Sequence, residues 1–594
     1  MVKFSILFIF SLFSLLSLSQ SVRYELSMPK PQNHYFEVKM VLSELKENEV
    51  LVKLPVWAPG SYLVREFSKN VNQVIATNEK GKQLTIFKTS KNSWNIKREN
   101  SKEIHVSYSV YSFELSVRTS FLDLTHGFVS GSGIFMYTES TKNKKGELKI
   151  TPHASFKKIT TGLPLKGEDV ASESANFVFE NYDHLVDCPI EIGNQEVFTF
   201  DAAGVKHTVG IYGEGNYSID SLKKDMATIV ESATNVFGQN PNKDYTFIIH
   251  NVVNGQGGLE HTNSTTLSVN RWTYEGSKYL GFLSLVAHEY FHLWNVKRIR
   301  PVQLGPFNYD KENYTSLLWV MEGFTSYYDE LLLLRAGYYD VNQYLNKLLG
   351  SINYVEGSVG SRIQPVAHAS FDAWVKAYRP DENSANTTMT YYSRGANIAA
   401  ILDAMIIKEY NGQKCLDHFM QILYHKYYEK LGRGFSEKEF QTELSDFLHQ
   451  DMSTFFNKYI NGTEIPNFND VFEKIGLGVE YIGVPKPSFG AVLSQSGKEL
   501  KVSRVRSNSS AENAGLSVND EIIGCNGYRV NKSDIEDVIA RLNTGETMNL
   551  LISRDDVLLE IVVTLADYEQ PQFDFVPKLE GEKEQLFNYW LRVD

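Results

Sequence analysis

Cysteine is almost missing from this chain: Cys188, Cys415 and Cys525 are the only three in 594 residues. Scattered without a pairing pattern, they offer no disulfide framework and no cysteine-rich zinc ribbon. A chain of this length folds on hydrophobic cores and needs neither. Proline is scarce as well, at 17 residues, and no repeat or low-complexity tract breaks the sequence, so it reads as globular throughout. Positive charge is in deficit, 59 Lys and Arg against 71 Asp and Glu, for a net charge of −12. That balance argues against nucleic acid or an anionic membrane as the main partner. Long apolar runs are lacking beyond the N-terminus. There, Lys3 precedes an apolar stretch from Phe4 to about Leu18, short of the roughly 20 residues a membrane span needs. Followed by the small-x-small pattern Ser17-Leu18-Ser19, it reads as a signal peptide over residues 1–19. The expectation is an exported protein, periplasmic or secreted, whose mature chain begins near Gln20 and has no membrane span after cleavage.

What is present is a 42% hydrophobic, aromatic-rich chain long enough for about three domains. Between about Val22 and Asp187 short alternating segments such as "HYFEVKMVL", "SWNIKR", "EIHVSYSVY" and "GIFMYT" have the period of half-buried strands. They predict an all-β domain over 20–187. The next region, 188–474, begins with strand-like "VFTFD", "HTVGIYG" and "YTFIIH" around a helix N-capped by Ser218. Helical patterns then dominate from Lys278 to about Phe472. A third change comes at about Gly476. Strand, turn, helix and strand patterns follow one another within about ninety residues, a compact module over 475–568. Residues 569–594 read as a charged tail with no assigned function. The fold class is multi-domain α+β.

The chemistry concentrates in "VAHEYFHLWN". In a helix, His288 and His292 lie one turn apart on one face. Two imidazoles so placed can reach one Zn²⁺ at about 2.0–2.1 Å. Glu289 sits beside them, where it can take a proton from a metal-activated water. Gly281, Ser284 and Leu285 share that face, while Leu283, Val286, Tyr290 and Leu293 form the buried side. The competing reading is a core helix whose histidines are satisfied internally, so a third ligand is required. A histidine at 298 would supply one, but that residue is Arg298. The remaining source is a carboxylate from "LLWVMEGFTSYYDELLLL", where Glu322 stands in an apolar helical run. Thr325 and Asp329 fall on the same face and could hydrogen-bond the ligands. Asp329 and Glu330 compete with Glu322 for the ligand role, and a solvated helix face is the preferred reading for both. Two His and one Glu leave a fourth position open for water, as catalytic rather than structural zinc requires.

With those residues in view, the chain resembles the glycyl aminopeptidase family of zinc metallopeptidases, a glutamate-liganded group with a thermolysin-like catalytic domain. The resemblance rests on "HEYFHLWNVKRIRP", "GGLEHTNSTTL", "WVMEGFTSYY" and "YYSRGANIAAILD". It extends to "LPVWAPGSYLVREF" and "DHLVDCPIEIG" near the N-terminus and to "SSAENAGLSVNDEIIGCNG", which resembles the family's C-terminal PDZ domain. It implies His288, His292 and Glu322 as ligands of one Zn²⁺ per chain and Glu289 as general base. "GGLEH" stands where related aminopeptidases carry Gly-x-Met-Glu-Asn. This implies that Glu260 binds the substrate's free amino terminus, with Gly257 and Gly258 allowing close backbone approach, and it puts His261 in the place of Asn. "YSRG" stands where relatives carry Tyr-x-Lys-Gly, implying Tyr392 as donor to the carbonyl oxygen, with Tyr391 as the neighbouring alternative and Arg394 in the place of Lys. Lys297, Arg298 and Arg300 are expected to brace the helix exit through ion pairs.

The function expected is thus an exported zinc aminopeptidase acting on peptides with a free N-terminus, small residues such as Gly or Ala being implied by the resemblance. A zinc endopeptidase with PDZ-assisted recruitment, or a non-catalytic PDZ interaction protein, are the alternatives. The PDZ module could take a peptide ligand by strand addition, but the preferred reading is an auxiliary role without a named ligand.

Overall fold

The computed structural model describes residues 21–167 and 174–592; the expected signal peptide lies outside the described residues. The chain forms two compact units. The first contains the residues through Val56, Glu66–Ile159 and Leu163–Asn194. The second contains Trp57–Arg65, Thr160–Gly162 and everything from Gln195 onward.

The first unit is built on strands because its sequence alternates. Tyr35–Ser43 and Glu103–Tyr111 pair antiparallel in the register Phe36 to Val110, Val38 to Tyr108 and Met40 to Val106. All six of those side chains are buried, as period-2 patterning demands of a half-buried sheet. The sheet runs Ala175–Phe179, Gly146–Thr151, Ser21–Ser27, Tyr35–Ser43, Glu103–Tyr111, Val71–Asn78. One element departs from expectation. "GIFMYT" is not a named strand: a 3-10 turn at Gly131–Gly133 leads into an irregular stretch in which Ile134 to Thr138 are all buried. With every side chain inside, no face is left for a strand's alternation. Its backbone carbonyls are instead taken by tyrosines, Tyr24 onto Met136 (2.5 Å), Tyr108 onto Ile134 (2.9 Å) and Tyr182 onto Phe135 (2.6 Å).

The second unit begins with a five-stranded sheet ordered Glu196–Ala202, Val205–Tyr212, Asp244–Val252, Ser264–Asn270, Gly258–Glu260. The edge strand Gly258–Glu260 runs antiparallel to its neighbour, pairing Glu260 with Thr265. Helix Ile219–Phe237 crosses the sheet, with the Ser218 hydroxyl accepting the Ser221 N–H as N-cap. Three helices then carry the residues of interest: Gly276–Phe291, Leu318–Arg335 and Tyr391–Glu409. The last two cross at glycines. A Cβ on Gly323 would meet the Gly395 Cα at 2.4 Å, and one on Gly395 would meet the Trp319 carbonyl oxygen at 2.3 Å. Backbone contact at that crossing sets the first turns of the two helices side by side.

Beyond the helices the chain goes out through Leu477–Tyr481 and returns through Phe573–Pro577, an antiparallel pair. Between them lies a module whose main sheet runs Ala491–Ser496, Glu499–Val505, Glu521–Cys525, Thr547–Arg554, Val557–Thr564, with helix Lys532–Arg541. Its own core includes Leu500, Val502, Ala511, Ile535, Met548, Leu550 and Val563. Asn386 ties the module to the helical body, donating to the Val505 carbonyl (2.8 Å) and accepting the Ser507 N–H (3.0 Å).

The segment read from sequence as a charged tail is an integral part of the fold. After its strand, helix Glu582–Leu591 buries Leu586, Phe587 and Trp590. The Trp590 indole N–H donates to the Tyr327 hydroxyl at 2.9 Å. The charged residues Glu582, Lys583 and Glu584 form its first turn, and the apolar residues that follow at helical spacing are what docks it. Among the described residues no helix is long and apolar enough to cross a membrane. All three cysteines are buried.

Candidate active site

His288 lies in the last turn of helix Gly276–Phe291 and His292 is its C-cap, still with right-handed helical backbone. Their rings stand 4.7 Å apart and nearly perpendicular, at 86°. The buried side consists of Leu283, Val286, Tyr290 and Leu293, which is how the helix turns its histidines the other way. There Glu322, in the first turn and a half of helix Leu318–Arg335, meets both: its Oε2 is 3.5 Å from His288 Nε2 and 3.2 Å from His292 Nε2.

The other nitrogen of each ring is committed. His288 Nδ1 donates to Asp329 Oδ2 at 2.9 Å, and His292 Nδ1 donates to the Asn295 carbonyl at 2.7 Å. In the neutral imidazole a protonated Nδ1 leaves an Nε2 lone pair. Two such lone pairs therefore face one carboxylate oxygen across little more than 3 Å, an arrangement that a cation between them satisfies. The donor set of two imidazoles and a carboxylate suits Zn²⁺, and the three side chains offer ligand atoms all within 4.8 Å of one another. The residues fit the metal.

Asn295 binds the two helices together at this point. Its amide donates to the carbonyls of Val320 (3.0 Å) and Met321 (2.9 Å) and to the Thr325 hydroxyl (3.1 Å). Thr325 donates to Met321 O at 2.7 Å and lies 3.4 Å from His292 Nδ1. The expected contact of Thr325 with the ligand set is present. Asp329 likewise makes the hydrogen bond to the ligand set that its place on this face allows, and is not on a solvated face. It is buried against His288 because it follows Glu322 by seven residues, two helical turns, on the same face. Glu330, one position round the helix, is ion-paired with Lys347 at 3.2 Å.

Glu289 is buried, and its Oε2 has no hydrogen-bond partner. Burial raises its pKa to about 7; the two histidines oppose the rise, and the charges of Glu260 and Glu322 add to it. Glu322 is opposite in sense. Burial raises it, but His292 and His288 outweigh that and hold its carboxyl down at about 2. Burial disfavours charge on His288 too, yet Asp329, Glu322 and Glu289 together raise its pKa well above the ordinary value.

Gly258 and Glu260 come from the edge strand. A Cβ on Gly258 would fall 2.4 Å from Glu289 Oε1, so close approach requires glycine there. Gly257 has a different cause: nothing crowds it, and its φ of +100° is what favours glycine. Buried Glu260 offers a ligand-type oxygen within 4.8 Å of those of Glu289 and His292. His261 is buried in the turn after the strand, its N–H donating to Ser264 O.

Of the two adjacent tyrosines, Tyr392 approaches the histidines, its ring 6.3 Å from that of His288, and Tyr391 is stacked behind it at 4.8 Å. Burial raises the Tyr392 pKa well above 10, with Glu322 adding to the effect, so its hydroxyl stays a donor. Arg394 is turned to another task, ion-paired with buried Glu356 and donating to Glu464 O at 2.9 Å. Arg298 likewise differs from expectation. Instead of an ion pair it makes hydrogen bonds to the Leu293 carbonyl (2.5 Å) and Asn242 Oδ1 (2.7 Å), a buried guanidinium closing the helix end.

Two site neighbours escaped the residue-by-residue reading. Tyr62 is buried with its pKa raised by burial and then by Glu322 and Glu260, and the backbone of Gly60 lies against the Glu260 carboxylate. Their only signal in sequence is the segment "LPVWAPGSYLVREF", about two hundred residues upstream of Glu260.

Comparison with known proteins agrees with this geometry. Family profiles match over residues 23–194 (Peptidase M61 N-terminal domain), 281–398 (M61 glycyl aminopeptidase) and 487–565 (PDZ domain). Curated proteins give no match. Among solved structures, an aminopeptidase N family protein from Idiomarina loihiensis is 30% identical, with a TM-score of 0.88 over 96% of this chain and 100% of that one. An M1 zinc metallopeptidase from Deinococcus radiodurans, 14% identical, shares the fold with a TM-score of 0.51 over 75% of this chain and 95% of its own.

Proposed function

The chain belongs to the M61 glycyl aminopeptidase family and is a zinc aminopeptidase, and from that premise we propose that it removes small N-terminal residues, Gly or Ala, from peptides outside the cytoplasm. The observation that carries the chemistry is the convergence of His288 Nε2 and His292 Nε2 on one oxygen of Glu322, with the unpartnered Oε2 of Glu289 beside them.

One zinc per chain would be held by His288, His292 and Glu322; when bound it supplies Lewis acidity and an activated water. Asp329 and the Asn295 carbonyl keep both Nδ1 atoms protonated and both rings aimed. Glu260 pairs with the substrate ammonium, which places the first peptide bond rather than a later one at the reacting position. Glu289 accepts the proton from water on Oε2 and returns it to the leaving amine. Tyr392 donates to the carbonyl oxygen as negative charge develops there. The N-terminal pattern over residues 1–19 supports export, and the family name supports small substrates.

The test compares a glycyl or alanyl peptide with its N-acetylated form. The free peptide is expected to be cleaved and the blocked one spared. Equal cleavage of both would make the enzyme an endopeptidase and remove the role given to Glu260.

A further inference from the structure

The segment Trp57–Arg65 is separated in sequence from the rest of the second unit, yet it belongs there. It is firmly held. The Trp57 indole N–H donates to Asn308 O at 2.8 Å and its ring meets that of Trp374 edge-on at 5.1 Å. Tyr62 packs edge-on against Trp374 and Tyr378, and Arg65 donates to the Ser61 hydroxyl. Between these anchors Ala58-Pro59-Gly60-Ser61 forms a tight turn closed by Ser61 N–H to Ala58 O at 3.0 Å. Proline and then glycine at the two central positions, with φ of +84° at Gly60, are what a type II turn requires.

The turn accounts for the sign of that φ, but not for what the turn is pressed against. A Cβ at Gly60 would sit 2.6 Å from Glu260 Oε1, 2.9 Å from Glu260 Oε2 and 2.7 Å from Leu259 Cδ1. The Tyr378 hydroxyl reaches the Gly60 carbonyl at 3.4 Å from the far side. Both oxygens of the carboxylate thus occupy the space that any side chain at position 60 would need.

We propose that the Pro59–Gly60 turn is a positioning element for the amine subsite: Gly60 holds the Glu260 carboxylate in place to receive a free α-ammonium and closes the space behind it. Gly60 is a positioning residue, acting on substrate only through Glu260. The proposal rests on the reading of Glu260 given above.

The experiment is a double-mutant cycle on the zinc-loaded, full-length enzyme. Wild type, Gly60→Ala, Glu260→Ala and the double variant are assayed on glycyl and N-acetylglycyl anilides, with zinc content measured for each. In the wild-type background Gly60→Ala is expected to raise KM for the free-amine substrate at least tenfold, with kcat changed much less and zinc retained. In the Glu260→Ala background the added methyl enters the vacated space, and KM is expected to change less than twofold. The strain of alanine at positive φ is the same in both backgrounds, so the difference isolates the contact with Glu260. An equal effect in both backgrounds, or no effect in wild type, overturns the proposal. Should Gly60→Ala fail to fold, Tyr378→Phe removes the hydrogen bond on the turn: a several-fold rise in KM confined to the Glu260 background supports the proposal, and an equal rise in both overturns it. Equal cleavage of the two anilides by wild type would instead remove the aminopeptidase reading itself.

Discussion

Asp329 accepts the Nδ1–H of His288 at 2.9 Å while Glu322, two turns earlier on the same helix, faces the other nitrogen of that ring. One helix thus supplies both a proposed ligand and the group that orients a second one. Truncating Asp329 to Ala frees the His288 ring to rotate and to change tautomer. Zinc affinity, measured by competition with a chromogenic chelator, is expected to fall about 10–100-fold, with near-normal far-UV circular dichroism. Undiminished affinity would show that His288 is oriented by packing alone.

As the proposed base, Glu289 is expected to set the acid limb of activity. Its working form is the carboxylate, and in the metal-free protein its pKa is raised to about 7, first by burial and then, against the histidines, by Glu260 and Glu322. Protonation removes the base, so kcat/KM falls as pH drops through that pKa, and bound zinc, being positive, places the limb lower. Taking away the charge at Glu260 with Gln is expected to move the limb lower still. A limb that moves upward in that variant would assign it to another group. Glu289→Gln itself is expected to lose roughly 10²–10⁴-fold in kcat with zinc retained.

Tyr392 separates from Tyr391 by what each ring touches. Tyr392 lies against His288 and is partly exposed to the site, whereas Tyr391 is buried behind it. Tyr392→Phe keeps the ring and removes only the donor, so the loss is expected in kcat, about 10²-fold, with KM nearly unchanged. If Tyr391→Phe gave the larger loss, the roles would be exchanged.

The site was readable in sequence where one helix carries its parts. His288, Glu289 and His292 follow from helical spacing, and Thr325 and Asp329 from their place on the face of Glu322. The depth at which Asp329 is buried is not legible there, because it depends on how helix Leu318–Arg335 packs against the histidine helix, a contact fixed by the bonds from Asn295 to Val320, Met321 and Thr325. The Gly60 turn was illegible as a site element for the same reason: neither spacing nor composition says that a loop near residue 60 folds onto residue 260. The C-terminal helix reads as a tail because three charged residues, Glu582, Lys583 and Glu584, open it, though Leu586, Phe587 and Trp590 recur at helical intervals. In the first unit, "GIFMYT" defeated the strand reading because alternation in sequence cannot show that both faces are buried.

The docking of that C-terminal helix leads to a prediction about stability. Trp590 donates to the Tyr327 hydroxyl, which donates in turn to Asp403 Oδ2 at 2.6 Å, and the Leu416 N–H reaches Asp403 Oδ1 at 2.7 Å. Burial raises the Asp403 pKa to about 6; those hydrogen bonds oppose the rise, and Asp417 adds to it while Arg335 offsets it. In the unfolded chain an aspartate titrates near 3.9. Between the two values the folded state binds more protons than the unfolded state, so this residue's contribution is complete below about pH 4 and is lost as pH rises through about 6. The loss is on the order of 3 kcal/mol. Asparagine keeps the shape without the charge. The difference in Tm between Asp403→Asn and wild type, which cancels the rest of the protein's titration, is therefore expected to grow in the variant's favour from pH 4.5 to pH 8. A difference that stays flat across that range would mean that Asp403 is ionised at little cost, its charge carried by the hydrogen bonds from Tyr327 and Leu416.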